Sequence, residues 1–224
     1  MAHICKYCNH SFKKESTLVV HICEQKRRAF AKDEKHVRIA FEVFQRFYKK
    51  AYKTSKDKTY EEFCKNKYYT AFVKVGSFIS NVNPLYPDQF IEYIISSGEK
   101  LDNWYKDEVY SKYIIQLLNT EPVEVALERS INTMITWAVS QNSQWDKYFL
   151  QVSASRAVFD IKDGKISPWL FLNCKSGQSL LERLDDMQLT DVSTVIDIQE
   201  WLKKFKLKKD DMNVVKLIVM EGNL

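Results

Sequence analysis

Residues 29–53, AFAKDEKHVRIAFEVFQRFYKKAYK, set Val37, Ala40, Phe41, Phe44, Phe47, Tyr48 and Ala51 at steps of three and four. An apolar stripe of that period lies along one face of an α-helix; strand side chains alternate every second residue and cannot keep it together. Lys35, Arg38, Glu42, Arg46, Lys49 and Lys50 fall on the other face. The constraint extends along the whole chain, because 5 Gly and 4 Pro in 224 residues leave few places to turn and favour long regular elements. At 45% hydrophobic residues this length buries a real core.

After TSKDKT at 54–59, which reads as a turn, Thr59 and Glu62 have the spacing of a capping box and open a helix to about Ser80. NVNPLYPD ends it. Asp88 is placed to cap a helix to about Ser96, and KLDNWYKDEVYSKYIIQLLN continues helically. Glu121 and Pro122 start another, with Leu127, Ile131, Met134, Ile135 and Ala138 in one stripe. Near residue 153 the pattern changes. SRAVFDIKDGKISPWLFLN has two runs rich in Val, Ile and Phe on either side of Lys162, Asp163, Gly164 and Lys165, and Asp-Gly between such runs signals a β-hairpin at about 155–173. Pro168 would then sit at an edge or bulge. GQSLLERLDDMQL, residues 194–206 and DDMNVVKLIVMEG return to helical patterning.

The first 25 residues differ from everything after them. Cys5 and Cys8 form a Cys-x-x-Cys turn, the arrangement that supplies two thiolates to a tetrahedral zinc ion. Cys64 and Cys174 are isolated among apolar neighbours and read as core residues in a reducing compartment. From Cys5 to His21 the sequence is Cys-x2-Cys-x3-Phe-x5-Leu-x2-His, which resembles the Cys2His2 zinc finger: a small hairpin carrying the cysteines, then a helix carrying the histidine. Phe12 and Leu18 match that family's two core residues. The resemblance covers residues 3–23 and implies zinc as cofactor, held by Cys5, Cys8 and His21.

The fourth ligand departs from the family. Glu24, Gln25 and Lys26 stand where its second histidine belongs, and the nearest donor is Cys23, with His3 and His10 as substitutes. In a continuous helix two residues are about 200° apart, so His21 and Cys23 cannot face one ion. Coordination by Cys23 therefore requires the helix to end at about His21 or Ile22, and residues 1–25 to depend on metal for their fold.

Charge is uneven. Residues 1–58 carry 15 Lys and Arg against 6 Asp and Glu, while the remaining 166 carry 19 against 23. A basic segment of this kind attracts phosphate. The finger resemblance puts Lys13, Lys14, Glu15, Ser16 and Thr17 at the start of the recognition helix, and Lys26, Arg27, Arg28, Arg38, Arg46, Lys49 and Lys50 continue the basic stretch. One finger reads about three base pairs and cannot select a genomic site alone. Lys203, Lys204, Lys206, Lys208 and Lys209 form a second cluster, in which Trp201 and Phe205 read as anchors of a helix to its core, the alternative being that they stack on bases of a single strand.

For catalysis the sequence offers AVFDIK at 157–162, where Asp160 and Lys162 resemble the second half of the PD-(D/E)xK nuclease motif, with Asp88 or Asp146 as positional candidates for the upstream acid. No phosphate-binding glycine loop or nucleophile elbow is present, and all four histidines precede residue 37. The expected protein is mainly α with a minor α+β part: a zinc finger at 1–25, then a helical domain at 26–224 whose portion from about 153 is α+β. The expected function is a non-enzymatic, intracellular accessory or regulatory factor that binds DNA or RNA. The alternatives are an adaptor docking on a polymerase or other transcription or replication complex, and a magnesium-dependent nuclease. The Lys-rich, aromatic-rich body is also similar in style to accessory proteins of large tailed bacteriophages, which implies transcription or replication inside a bacterial host. No apolar run reaches the roughly 18 residues of a membrane span.

Overall fold

The computed structural model describes residues 2–53 and 55–224, and divides the chain into two units, Met1–Lys106 and Asp107–Leu224. In the first unit, β1 (His3–Ile4) and β2 (Ser11–Phe12) pair antiparallel, with His3 opposite Phe12 and Ile4 opposite Ser11. Helices follow: α1 (Glu15–Val20), α2 (Glu24–Phe30), α3 (Lys35–Tyr52), α4 (Tyr60–Lys65), α5 (Tyr69–Val82) and α6 (Pro87–Ser96).

Of the stripe read in residues 29–53, Val37, Ala40 and Phe44 are enclosed in α3, Phe41, Phe47 and Tyr48 are half-buried and Ala51 is exposed, while Val43, outside that stripe, is enclosed as well. Helix α3 packs on α5, and Gly76 makes the close approach possible, because a Cβ there would lie 2.1 Å from the His36 carbonyl oxygen. Phe44 meets Phe63 and Phe72 at ring distances of 5.0 and 5.4 Å. Burying aromatic surface of this size, with Phe44 edge to face on Phe72 and tilted on Phe63, is what stabilises so small a unit.

The capping box forms as read, with the Thr59 hydroxyl accepting from the Glu62 N–H and the Glu62 carboxylate from the Thr59 N–H. The helix it opens stops at Lys65, short of the expected Ser80. Asn66 is the cause: its Oδ1 accepts from the Tyr68 N–H at 2.8 Å, an Asx turn that competes with helix propagation. Asp88 is not a cap; Tyr86 precedes α6 and Pro87 takes its first position.

The second unit contains α7 (Asp107–Thr120), α8 (Val123–Gln141), α9 (Tyr148–Gln151), α10 (Ala154–Lys162), α11 (Pro168–Phe171), α12 (Lys175–Glu182), α13 (Asp186–Ser193), α14 (Ile198–Leu207) and α15 (Lys209–Glu221). Its core includes Tyr148, Phe149, Trp169, Leu170 and Phe171. Glu121 and Arg129 form a nearly enclosed ion pair at 4% and 8% side-chain exposure.

The β-hairpin expected at 155–173 does not form; the segment is helical, as α10 and α11. Ala157, Val158 and Ile161 bury one face at helical spacing, and the Ser153 hydroxyl caps the start by accepting from the Arg156 N–H. Gly164 takes φ +73. The Lys165 N–H reaches the Asp160 carbonyl at 2.8 Å and the Gly164 N–H reaches Ile161 at 3.0 Å. That pair of bonds is a Schellman motif, so Asp-Gly here terminates a helix instead of turning a hairpin. Pro168 is the first residue of α11, where its missing N–H costs nothing. Among the described residues the one sheet is β1–β2, and no helix is long and apolar enough to cross a membrane.

Candidate metal centre

The turn after β1 closes through the Cys5 N–H on the His10 carbonyl (2.9 Å) and the Asn9 N–H on Cys5 (2.8 Å), with Asn9 at φ +59. This places the Cys5 and Cys8 sulfurs on one side of the hairpin. Helix α1 then runs only to Val20: His21 is already extended, at φ −68 and ψ 120. Cys23 is extended too, at ψ 166, and is the N-cap of α2. The break required between His21 and Cys23 is thus present, and it turns the Cys23 sulfur back toward the hairpin.

One donor atom each from Cys5, Cys8, His21 and Cys23 gather within 4.8 Å of one another, the one such group of three or more His, Cys, Asp or Glu side chains among the described residues. The Cys5 and Cys23 sulfurs are 4.0 Å apart, and Cys8 Sγ lies 3.3 Å from His21 Nε2. A tetrahedron with metal–sulfur bonds of about 2.3 Å and metal–nitrogen bonds of about 2.0 Å has edges of about 3.5–3.8 Å. The group therefore has the composition and size of a metal centre. His3 and His10 are not members of it.

The surroundings suit thiolates. The Cys8 backbone N–H, followed by those of neighbouring groups, brings the Cys5 thiol down to about 7. Cys8 is held above the ordinary value: the His10 N–H pulls it down, but burial and the Cys5 and Cys23 sulfurs outweigh that pull. Crowded sulfurs that oppose each other's ionisation are what a cation relieves. Burial pushes the Cys64 and Cys174 thiols up, which leaves them inert.

Phe12 sits against the His21 ring at 4.7 Å. The Cys23 sulfur accepts from the Lys26 N–H at 3.3 Å, and Lys26 Nζ reaches back to the His21 carbonyl at 3.1 Å. At the far end of α2, Arg28 donates to the Cys64 carbonyl at 2.8 Å, pairs with Glu24 and lies over the Tyr69 ring at 4.4 Å. Tyr60 donates to the Arg28 carbonyl at 2.6 Å. Cys23 is therefore the N-cap of a helix anchored on α4 and α5.

The basic residues named from the sequence divide in two. Lys13, Lys14, Arg27 and Arg38 are exposed. The others are engaged: Lys26 and Arg28 as above, Arg46 with Glu42, Asp88 and Glu92, Lys49 at 3.5 Å from Asp57, and Lys50 at 3.9 Å from Glu92. Glu42 lies one turn back in α3 itself, whereas Asp88 and Glu92 come from α6 and Asp57 from the turn after α3, and no pattern within α3 announces those three. Trp201 and Phe205 are buried against Trp169, at 5.6 and 5.1 Å, and do anchor α14.

Asp160 and Lys162 lie on helix α10, not on the apolar strand that the nuclease resemblance took them to end. Asp160 is fully buried on a helix, where its Oδ2 accepts from the Tyr148 hydroxyl (2.9 Å) and Arg156 Nε (2.8 Å). Lys162 pairs with Asp191 at 2.9 Å. Asp88 is taken by Arg46, and Asp146 lies 2.8 Å from Lys147.

Sequence inspection does not single out the exposed apolar side chains near the Cys/His cluster, Ile4, Val19, Val20 and Ile22, 59–74% exposed, because single Val and Ile residues carry no motif. Comparison of the chain with protein-family models, curated proteins and solved structures finds no match.

Proposed function

We propose that this is a non-enzymatic nucleic-acid-binding factor whose N-terminal finger is closed by one zinc ion on Cys5, Cys8, His21 and Cys23. Three thiolates and an imidazole are a soft, tetrahedral donor set that suits zinc. With four protein ligands no position is left for water or substrate, so the ion contributes folding energy and no chemistry. Cys23 passes that ordering into α2, which presents Arg27 beside the finger.

The observation that carries the nucleic-acid reading is the exposed set Lys13, Lys14, Arg27 and Arg38, none of them in an ion pair among the described residues. Free cations gain from phosphate by releasing its counterions; cations already paired within the protein gain little. So small a footprint attaches the chain to nucleic acid within a larger transcription or replication assembly and does not choose a sequence. A second reading, the finger as a protein-docking module, is favoured by Ile4, Val19, Val20 and Ile22 on its surface.

Fluorescence anisotropy of the zinc-loaded chain with labelled DNA, titrated with salt, tests this. Log affinity should fall against log salt with a slope of about −2 to −4, as for two to four phosphate contacts. Replacing Lys13, Lys14, Arg27 and Arg38 together with Ala should remove most of the slope. Absence of binding at low salt, or an unchanged slope in that variant, refutes the proposal.

A further inference from the structure

At the C-terminal end of α3 aromatic rings face solvent. Tyr48 and Tyr52, one helical turn apart, stack with ring centroids 5.5 Å apart and planes 3° from parallel. Tyr52 is nonetheless 70% exposed. Asn66 extends the row: its Nδ2 donates to the Tyr48 hydroxyl at 2.9 Å while its Oδ1 accepts from the Tyr68 N–H at 2.8 Å. Tyr68 is 46% exposed. One stack thus fixes the Tyr48 and Tyr52 rings, and the Asn66 amide ties the Tyr48 hydroxyl to the backbone of the exposed Tyr68.

Lysines line the row. Lys58 Nζ lies 5.9 Å above the Tyr48 ring and Lys67 Nζ 4.8 Å above Tyr68. Lys53, in the left-handed conformation that ends α3, follows Tyr52 directly. Residues 49–68 hold 7 Lys against 3 Asp and Glu. Lys58 is spoken for by Glu62 and Lys49 by Asp57, while Lys53 and Lys67 have no ion pair among the described residues.

We infer that Tyr52, Tyr48 and Tyr68 form a stacking platform for the unpaired bases of a single-stranded nucleic acid, with Lys53 and Lys67 on its phosphates. This rests on the nucleic-acid reading above and adds a second contact of a different kind. Every base offers a π face to a phenol ring, but only where it is not already stacked in a duplex, so such a surface selects strandedness and tolerates sequence. Protein interfaces take Tyr but are depleted of Lys; a Tyr row set among lysines matches a polyanion with flat apolar groups. The finger's cations meet phosphate in either form of nucleic acid, and the platform discriminates between them.

The test is anisotropy of the zinc-loaded full chain with a labelled oligothymidylate of about 20 nucleotides and with a duplex of the same length. The double variant Tyr52→Ala, Tyr68→Ala should lose about tenfold or more in affinity for the single strand and keep its affinity for the duplex. Tyr52→Phe with Tyr68→Phe should bind as wild type, since the ring and not the hydroxyl stacks. Matching melting curves show that these exposed substitutions leave the fold intact. If the alanine variant binds oligothymidylate as tightly as wild type, the platform is refuted; that is also what a Tyr row serving a protein partner would give. Loss of binding on Lys13→Ala with Lys14→Ala in that same case leaves the nucleic-acid reading standing. If the wild-type chain binds neither probe, both fall together.

Discussion

Gly76→Ala tests the packing that holds α3, and with it the tyrosine row, in place. An ideal Cβ on residue 76 would lie 2.1 Å from the His36 carbonyl oxygen, 2.7 Å from the Ala40 nitrogen and 2.9 Å from the Ala40 Cβ. Carbon–oxygen contacts become comfortable only at about 3.3 Å, so α3 and α5 would have to part by roughly 1 Å. Two of the three obstacles are backbone atoms and cannot rotate away. Overpacking of this kind costs about 3 kcal/mol, the upper part of its usual range. Alanine recovers about 1 kcal/mol of helix propensity, leaving a net loss near 2 kcal/mol. For a unit of this size that lowers the melting temperature by roughly 10 °C. Circular dichroism melts of the zinc-loaded chain measure it. Gly98→Ala is the control: with nothing within 4 Å and φ +74, it carries only the left-handed backbone penalty of about 1 kcal/mol. A Gly76→Ala chain as stable as wild type would mean that α3 and α5 do not approach this closely.

Cys23→Ser should reduce zinc retained against a chelator from one ion per chain to well below one, whereas His10→Ala should retain it fully; metal analysis after dialysis distinguishes the two. Because Cys23 also caps α2, metal removal should increase protease cleavage within residues 24–33, while the body stays resistant. Asp160→Asn should destabilise the second unit by about 2 kcal/mol in urea, since it weakens the charge-assisted bonds from Arg156 and Tyr148, and an unchanged midpoint would contradict that role. Lys58 and the Thr59 N–H hold Glu62 down to about 2 from an ordinary 4.5. Its contribution is complete above 4.5 and disappears as pH falls through 2, so the stability difference between wild type and Glu62→Gln should shrink over that window. Comparing the two chains at each pH cancels the proton-driven loss of metal that both suffer.

Much of the candidate metal centre was legible because its determinants are local. The spacing of Cys5, Cys8 and His21 specifies donors, and the 100° step of a helix requires a break before Cys23 can join them, which is the extended conformation of His21 and Cys23. The stripe on α3 and the Thr59–Glu62 box likewise involve residues within a few positions of each other. Asp163 and Gly164 show where local pattern is ambiguous: Gly at positive φ suits both a hairpin turn and a helix stop, and a short apolar run suits both neighbours. Burial of Ala157, Val158 and Ile161 on a single face decided for the helix.

The helical class, the candidate donors Cys5, Cys8 and His21 and the basic bias of the first quarter follow from the sequence by itself, because each depends on residue type and short spacing; that Cys23 and not His3 or His10 joins them does not. Which cations remain free does not. Arg46 is taken by Asp88, 42 positions away, and Arg28 by the carbonyl of Cys64, 36 positions away. Nor does the exposure of Tyr52 and Tyr68, which stand among lysines in the sequence just as the buried Trp201 and Phe205 do. Charge pairing and burial are properties of what folds against a side chain, and only the tertiary structure brings those neighbours together.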